Sequence, residues 1–146
     1  MFKGSIEYQT IVKAPRSEVW NFFQDPKALE GLTDFPKVTV LSNGESKAGQ
    51  TVEIQIEAGP LKVNWLSAIT DSKEEEFFVD KGQEMPFPLI KWQHTHSLQA
   101  LAEGELTGIT DHVEFESYVP SVFIKAGLYN MFKDREKALQ SQFKNN

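Results

Sequence analysis

The sequence predicts an α+β protein in which one curved antiparallel sheet is covered by a long C-terminal helix. Three observations carry this expectation. Short runs of alternating polar and apolar residues follow one another with turn signals between them, as in TVEIQIEA at residues 51–58. The only other helical patterns are two short ones near the N-terminus. From Ser121 onward, Leu128, Met131, Phe132, Arg135, Leu139 and Phe143 fall at spacings of three and four and make one continuous stripe. Runs of strands with segregated helices imply a layered α+β architecture, and this helix is the only element large enough to cover the sheet. A curved sheet around a single helix leaves a space between them, which is the natural place for a site.

The elements follow in order. Residues 5–13 read as the first strand. Ala14-Pro15 then interrupts the pattern, and proline suits a helix start. RSEVWNFFQD, residues 16–25, reads as a short helix with Val19, Trp20, Phe22 and Phe23 buried. Pro26 ends it, because a residue before proline disfavours helix. A second helical turn is expected over residues 27–32. VTVLS at 38–42 leads to the turn signal Asn43-Gly44. In TVEIQIEA, Val52, Ile54, Ile56 and Ala58 share one face. Gly59-Pro60 turns the chain into LKVNWLSAIT (61–70), where Leu61, Val63 and Trp65 form the matching inner face.

A short strand over 76–80 runs into the loop KGQEMPFPL (81–89), whose two prolines argue against a strand there. That loop is apolar for an exposed connection and is read as a lid over the cavity mouth. The acidic run Glu74-Glu75-Glu76 reads as a solvated strand edge. Residues 90–101 and 106–118 form the last hairpin. On the final helix, Asp134, Lys137 and Lys144 face away from the stripe.

Composition bounds the function. The 146 residues fit one domain spanning 1–146. A net charge of −6 without a basic cluster speaks against nucleic acid as a partner. There is no cysteine, so neither disulfides nor thiolate chemistry enter. The N-terminus lacks the apolar run of a signal peptide, and no segment approaches the ~18 apolar residues of a membrane span. A cytoplasmic address is therefore expected. No GxGxxG, Walker, G-x-S-x-G or HExxH motif is present, and no cofactor is expected. The sequence carries no signal for oligomeric state. Aromatic residues are numerous, with 11 Phe, 3 Trp and 3 Tyr, and would suit a ring-lined cavity as well as a core.

The stretch WQHTHSLQA, residues 92–100, carries the most chemistry. On a strand, Trp92, His94, His96 and Leu98 share a face, and the uncharged polar residues between them take the solvent side. A two- or four-residue loop around Glu103-Gly104 sets opposing residue numbers to a sum of 207. Leu98 then faces Ile109, His96 faces Asp111, His94 faces Val113 and Trp92 faces Phe115, all on the inner face. A one-residue slip would put Gln99 or Gln93 opposite core positions and is penalised. Asp111 within reach of His96 would orient its ring. Arg135, the only charge in the helical stripe, could reach the same space or snorkel to the rim.

Four readings are open for this cluster: a satisfied buried network, a ligand-orienting site, a catalytic pair, and a metal site. The last ranks lowest, because His-x-His supplies two ligands and spacing fixes no third. No metal is therefore expected. His112 points away from Asp111 and is read as surface.

The opening IEYQTIVKAPRSEVWNFFQDPKALEGL resembles the start of the START-like superfamily, also called SRPBCC, with its polyketide-cyclase-like and pollen-allergen-like branches. WQHTHSLQALAEGELTGITDHVEFESYVP, followed by FKDREKAL, resembles a bacterial ligand-binding branch in which W-x-H-x-H is paired with D-x-V-x-F. The resemblance spans essentially the whole chain. It implies a helix-grip fold: a seven-stranded antiparallel sheet wrapped round the C-terminal helix, with a deep hydrophobic cavity. Trp92, His94, His96, Asp111 and Arg135 match the motif positions. The tyrosine expected near the end of the strand is Phe115 here, which removes one phenolic acid and weakens a cyclase reading.

The expected function is binding or carrying a small, largely hydrophobic ligand with one polar or anionic group. Trp65, Trp92, Val113, Phe115 and Phe132 would supply apolar contact. His94, His96 and Arg135 would meet the polar end, and Asp111 would set the histidine state. The alternative is an aromatase/cyclase or hydrolytic enzyme in the same cavity, with His96, Asp111 and His94 as its acid–base group. A protein-interaction module would need an exposed apolar patch, and the charged outer face of the helix argues against one.

Overall fold

The computed structural model describes residues 1–32, 37–42 and 45–144. The alternating segments become one curled antiparallel sheet of seven strands, ordered β1-β7-β6-β5-β4-β3-β2. The strands are β1 (Phe2–Val12), β2 (Lys37–Val40), β3 (Thr51–Ala58), β4 (Leu61–Lys73), β5 (Phe77–Glu84), β6 (Leu89–Leu101) and β7 (Leu106–Ser117). From β2 to β7 each strand pairs with its neighbour in the chain, and β1 closes against β7. α1 (Arg16–Gln24) and a 3-10 helix (Pro26–Gly31) connect β1 to β2, and α2 (Ser121–Gln142) follows β7. The expected fold class is the observed one.

Proline marks both helix starts, with Pro15 and Pro120 at the N-cap positions. α1 buries Val19, Trp20 and Phe23, with Phe22 half-buried against the same cluster. That cluster joins Val12, Ile109 and Leu139 across three elements, and full burial of each such side chain contributes about 1.5–3 kcal/mol. A second cluster, Trp92, Val113, Phe115 and Phe132, lies under the middle of α2. The helix packs mainly on β1, with a smaller contact on β7. Tyr8 ties the two together: its hydroxyl donates to Glu136 Oε1 at 2.8 Å, and its ring stacks on Phe132. Gly4 makes room for this packing, since a Cβ there would come 2.6 Å from Phe115 Cζ.

The β6–β7 register is the one the sequence requires. Leu98 pairs with Ile109, His96 with Asp111, His94 with Val113 and Trp92 with Phe115. Leu101 pairs with Leu106, so the loop has four residues, and Gly104 takes a φ of 92° within it.

Two expectations change. β5 runs through Glu84, so residues 81–84 are strand and only 85–88 form the loop. The prolines act only where they stand, and Lys81 still pairs with Ala68 and Gln93 on either side. Gly82 leaves room there for the Met85 side chain, whose Sδ would have to shift to admit a Cβ. Glu74-Glu75-Glu76 is the β4–β5 turn rather than a strand edge: Glu75 has a φ of 63°, and the Glu76 N–H donates to the Lys73 carbonyl. The turn signal Asn43-Gly44 lies outside the described residues.

Candidate binding site

A cavity of about 410 Å³ lies between the sheet and α2. Its placement follows from how the helix is held. α2 packs mainly on β1, with a smaller contact on β7, and α1 meets β6, so much of the concave face of β3 to β6 is left open beneath α2. Alternation on those strands sends Val52, Ile54 and Ile56 of β3 and Trp65 of β4 into the space. Trp65 and Trp92 meet edge to face, 4.9 Å between ring centroids. The loop Pro86, Phe87 and Pro88 lines the mouth, with Phe123 and Ile124 from the first turn of α2.

Six of the nine expected ligand contacts line this cavity: Trp65, Trp92, His94, His96, Phe132 and Arg135. Asp111, Val113 and Phe115 do not line it. All three are on the inner face, as alternation requires, but on β7, beneath α2. Asp111 thus reaches the site only through the two histidines.

The polar end is a buried network. His94 Nε2 and His96 Nδ1 both donate to Asp111 Oδ1, at 2.7 and 2.9 Å. Burial pushes the Asp111 carboxyl up, but His96 and the two N–H donors outweigh it and hold the group well below the ordinary carboxylate range. Burial pulls His96 down and keeps it neutral against the pull of Asp111. Phe23 and Phe78 pack on the His96 ring at 4.3 and 4.9 Å. Arg135 is only 8% exposed, so it is inside and does not snorkel. Its guanidinium carbon sits 5.5 Å from the centroid of the Phe132 ring. No carboxylate lies within ion-pair distance of it among the described residues.

Sequence reasoning missed Asp80. It sits on β5 directly opposite His94, on the cavity wall. Burial pushes its carboxyl up, with His94, a hydrogen bond from Ser67 and the charge of Arg135 acting against the shift. Ser67 itself accepts from Trp65 Nε1 at 2.8 Å, so Trp65, Ser67 and Asp80 form a second polar chain. The signal was present as a lone acid two positions after inward-facing Phe78. His112 lies outside the network, near Glu7 and Glu114, as expected.

Four buried side-chain polar atoms find no hydrogen-bond partner among the described residues: Asp80 Oδ1, Trp92 Nε1, His96 Nε2 and Arg135 Nε. All four belong to residues lining the cavity. Each such atom ordinarily costs about 1–3 kcal/mol when left unpaired. All four thus come from the lining of one cavity, between β5 and β6 on one side and α2 on the other.

The chain has the helix-grip fold. Protein CV1439 from Chromobacterium violaceum superposes with a TM-score of 0.80 at 18% identity, covering 97% of this chain and 98% of that one. Ginseng major latex-like protein 151 from Panax ginseng gives 0.75 at 13% identity, covering 98% and 99%. The Zhui aromatase/cyclase from a Streptomyces strain gives 0.75 at 12% identity, covering 97% and 94%. The START-like resemblance read from the sequence thus holds at the level of fold. No protein-family model matches the chain, and no curated protein matches it in sequence.

Two further features of this helix-grip chain bear on function. His94, His96 and Asp111 offer ligand atoms within 4.8 Å of one another, so the structure supplies the third donor that spacing alone did not. Both nitrogens already point a hydrogen at the same oxygen, and a divalent ion would have to displace those hydrogens. The outer face of α2 is also less polar than expected. Val122, Phe123 and Tyr129 are exposed, with Phe87 and Tyr118 stacked nearby. The buried residues of the stripe begin only at Phe132, while Ile124 and Leu128 are half-buried against the second cluster. Among the described residues no helix is long and apolar enough to cross a membrane.

The neutral His96 sets a pH dependence. Its folded pKa is below the unfolded value, so the unfolded chain binds the extra proton and stability falls as pH drops below about 6.5. Thermal unfolding followed from pH 8 to pH 5 should show a falling melting temperature. In His96→Asn the decline over that interval should be smaller.

Proposed function

We propose that this helix-grip protein binds or carries a small, largely apolar ligand with its polar end at Asp80, Trp92, His96 and Arg135. The observation that carries this reading is the confinement of the four unpaired buried polar atoms to the wall of one apolar cavity. A cavity with a few convergent polar groups in an apolar lining is how small-molecule sites are built. Trp65, Trp92 and Phe132 supply apolar contact, His96 and Arg135 supply polar contact, and Asp111 holds both imidazoles in place. Relatives in fold are named both as an aromatase/cyclase and as a latex-like protein, so fold does not choose between catalysis and carriage. Binding is the reading taken here because the cavity lining is largely apolar and its polar groups are few.

Native mass spectrometry of freshly purified protein, compared with its denatured mass, tests the reading. An added mass of a few hundred daltons, lost on denaturation, supports it. An added mass of one divalent ion, absent in His94→Ala, contradicts it and makes His94, His96 and Asp111 a metal site.

A further inference from the structure

We propose that the ligand is uncharged and ends in a hydroxyl, whose hydrogen is accepted by Nε2 of His96. This rests on the binding role above and narrows its ligand. Asp111 Oδ1 takes two bonds, from His94 Nε2 and from His96 Nδ1. A carboxylate oxygen only accepts, so both of those nitrogens carry a hydrogen. A neutral imidazole has one N–H, and in His96 it is spent on Asp111. Nε2 is then a bare lone pair. Burial supports the neutral form.

That lone pair has no partner among the described residues, although its ring lines the cavity between Phe23 and Phe78, which line it too. It requires a donor from the ligand. Trp92 Nε1 and Arg135 Nε are donors without partners and require lone pairs. A hydroxyl carries a hydrogen and lone pairs together. A carboxylate or other oxyanion supplies lone pairs only, and would set a negative oxygen against Nε2.

Arg135 has no carboxylate at ion-pair distance among the described residues, so net charge alone does not choose between an anion and a neutral group. The bare lone pair of His96 makes the choice, since it takes a hydrogen that an oxyanion lacks. The polar or anionic end read from the sequence thus narrows to a polar, uncharged one.

Isothermal titration with naphthalene, 2-naphthol and 2-naphthoate at pH 7.5 tests this, since the three differ only at the polar end. The wild-type protein should bind 2-naphthol at least about tenfold tighter than either of the others. In His96→Asn the side-chain amide can still donate to Asp111, but nothing stands in the place of Nε2. There the 2-naphthol preference over naphthalene should shrink severalfold. Tightest binding of 2-naphthoate, or equal binding of naphthalene and 2-naphthol, overturns the hydroxyl inference and leaves the binding role intact. Binding of none of the three overturns both. The wild-type series decides the matter even if His96→Asn fails to fold.

Discussion

Asp111→Ala should destabilise the protein by about 3–5 kcal/mol, a fall of roughly 10–15 °C in melting temperature for a chain of this size. Asp111 is 2% exposed and is the common acceptor for two buried imidazole N–H groups. Truncation removes one charge and strands two donors at the junction of β6 and β7. Asp111→Asn keeps an acceptor oxygen at that place and should lose less. Differential scanning calorimetry on the three proteins gives the order directly. A melting temperature for Asp111→Ala within about 2 °C of wild type would remove Asp111 as the anchor of the site. If Asp111→Asn melts several degrees lower yet binds ligand as wild type does, the pair is structural only.

Arg135→Met should move stability the other way. Arg135 is buried without a carboxylate at ion-pair distance among the described residues, so the fold bears the desolvation of its guanidinium with little return. A methionine fills the same stripe position between Phe132 and Leu139 with no charge. The variant should gain about 1–4 kcal/mol, judged from replacements of buried ionic groups by apolar ones, and should bind 2-naphthol more weakly. Higher stability with weaker binding is the signature of a residue kept for function. A loss of stability in Arg135→Met would show instead that the guanidinium supports the fold.

Most of the candidate site was legible because it lies on strands with one buried face. Period-two alternation put Trp92, His94, His96 and Asp111 on the inner side, and the penalty for burying Gln93 or Gln99 selected the hairpin register. Arg135 stood out as the one charge in an apolar stripe. Asp80 was not legible for a related reason. Its partner is His94 on the neighbouring strand, and that register depends on how far β5 runs past Asp80, where glycine and two nearby prolines suggested a loop. Val113 and Phe115 were placed on the correct face but at the wrong position across the sheet. Alternation reports which face a side chain takes and says nothing of where the helix lies over that face. Here α2 packs mainly on β1, with a smaller contact on β7. The exposed Val122 and Phe123 escaped for the same reason, since a helical period does not reveal where along the helix burial begins.

The central claim is that an apolar molecule enters the space between the sheet and α2. Fluorescence titration with 1-aminoanthracene tests it most directly, on the wild-type protein and on Ile54→Trp, in which an indole takes up part of the cavity from β3. The account predicts saturable binding of one probe per chain, weakened at least about tenfold in Ile54→Trp while circular dichroism shows the fold retained. Binding of equal strength in both proteins, or no binding to the wild type, would contradict it.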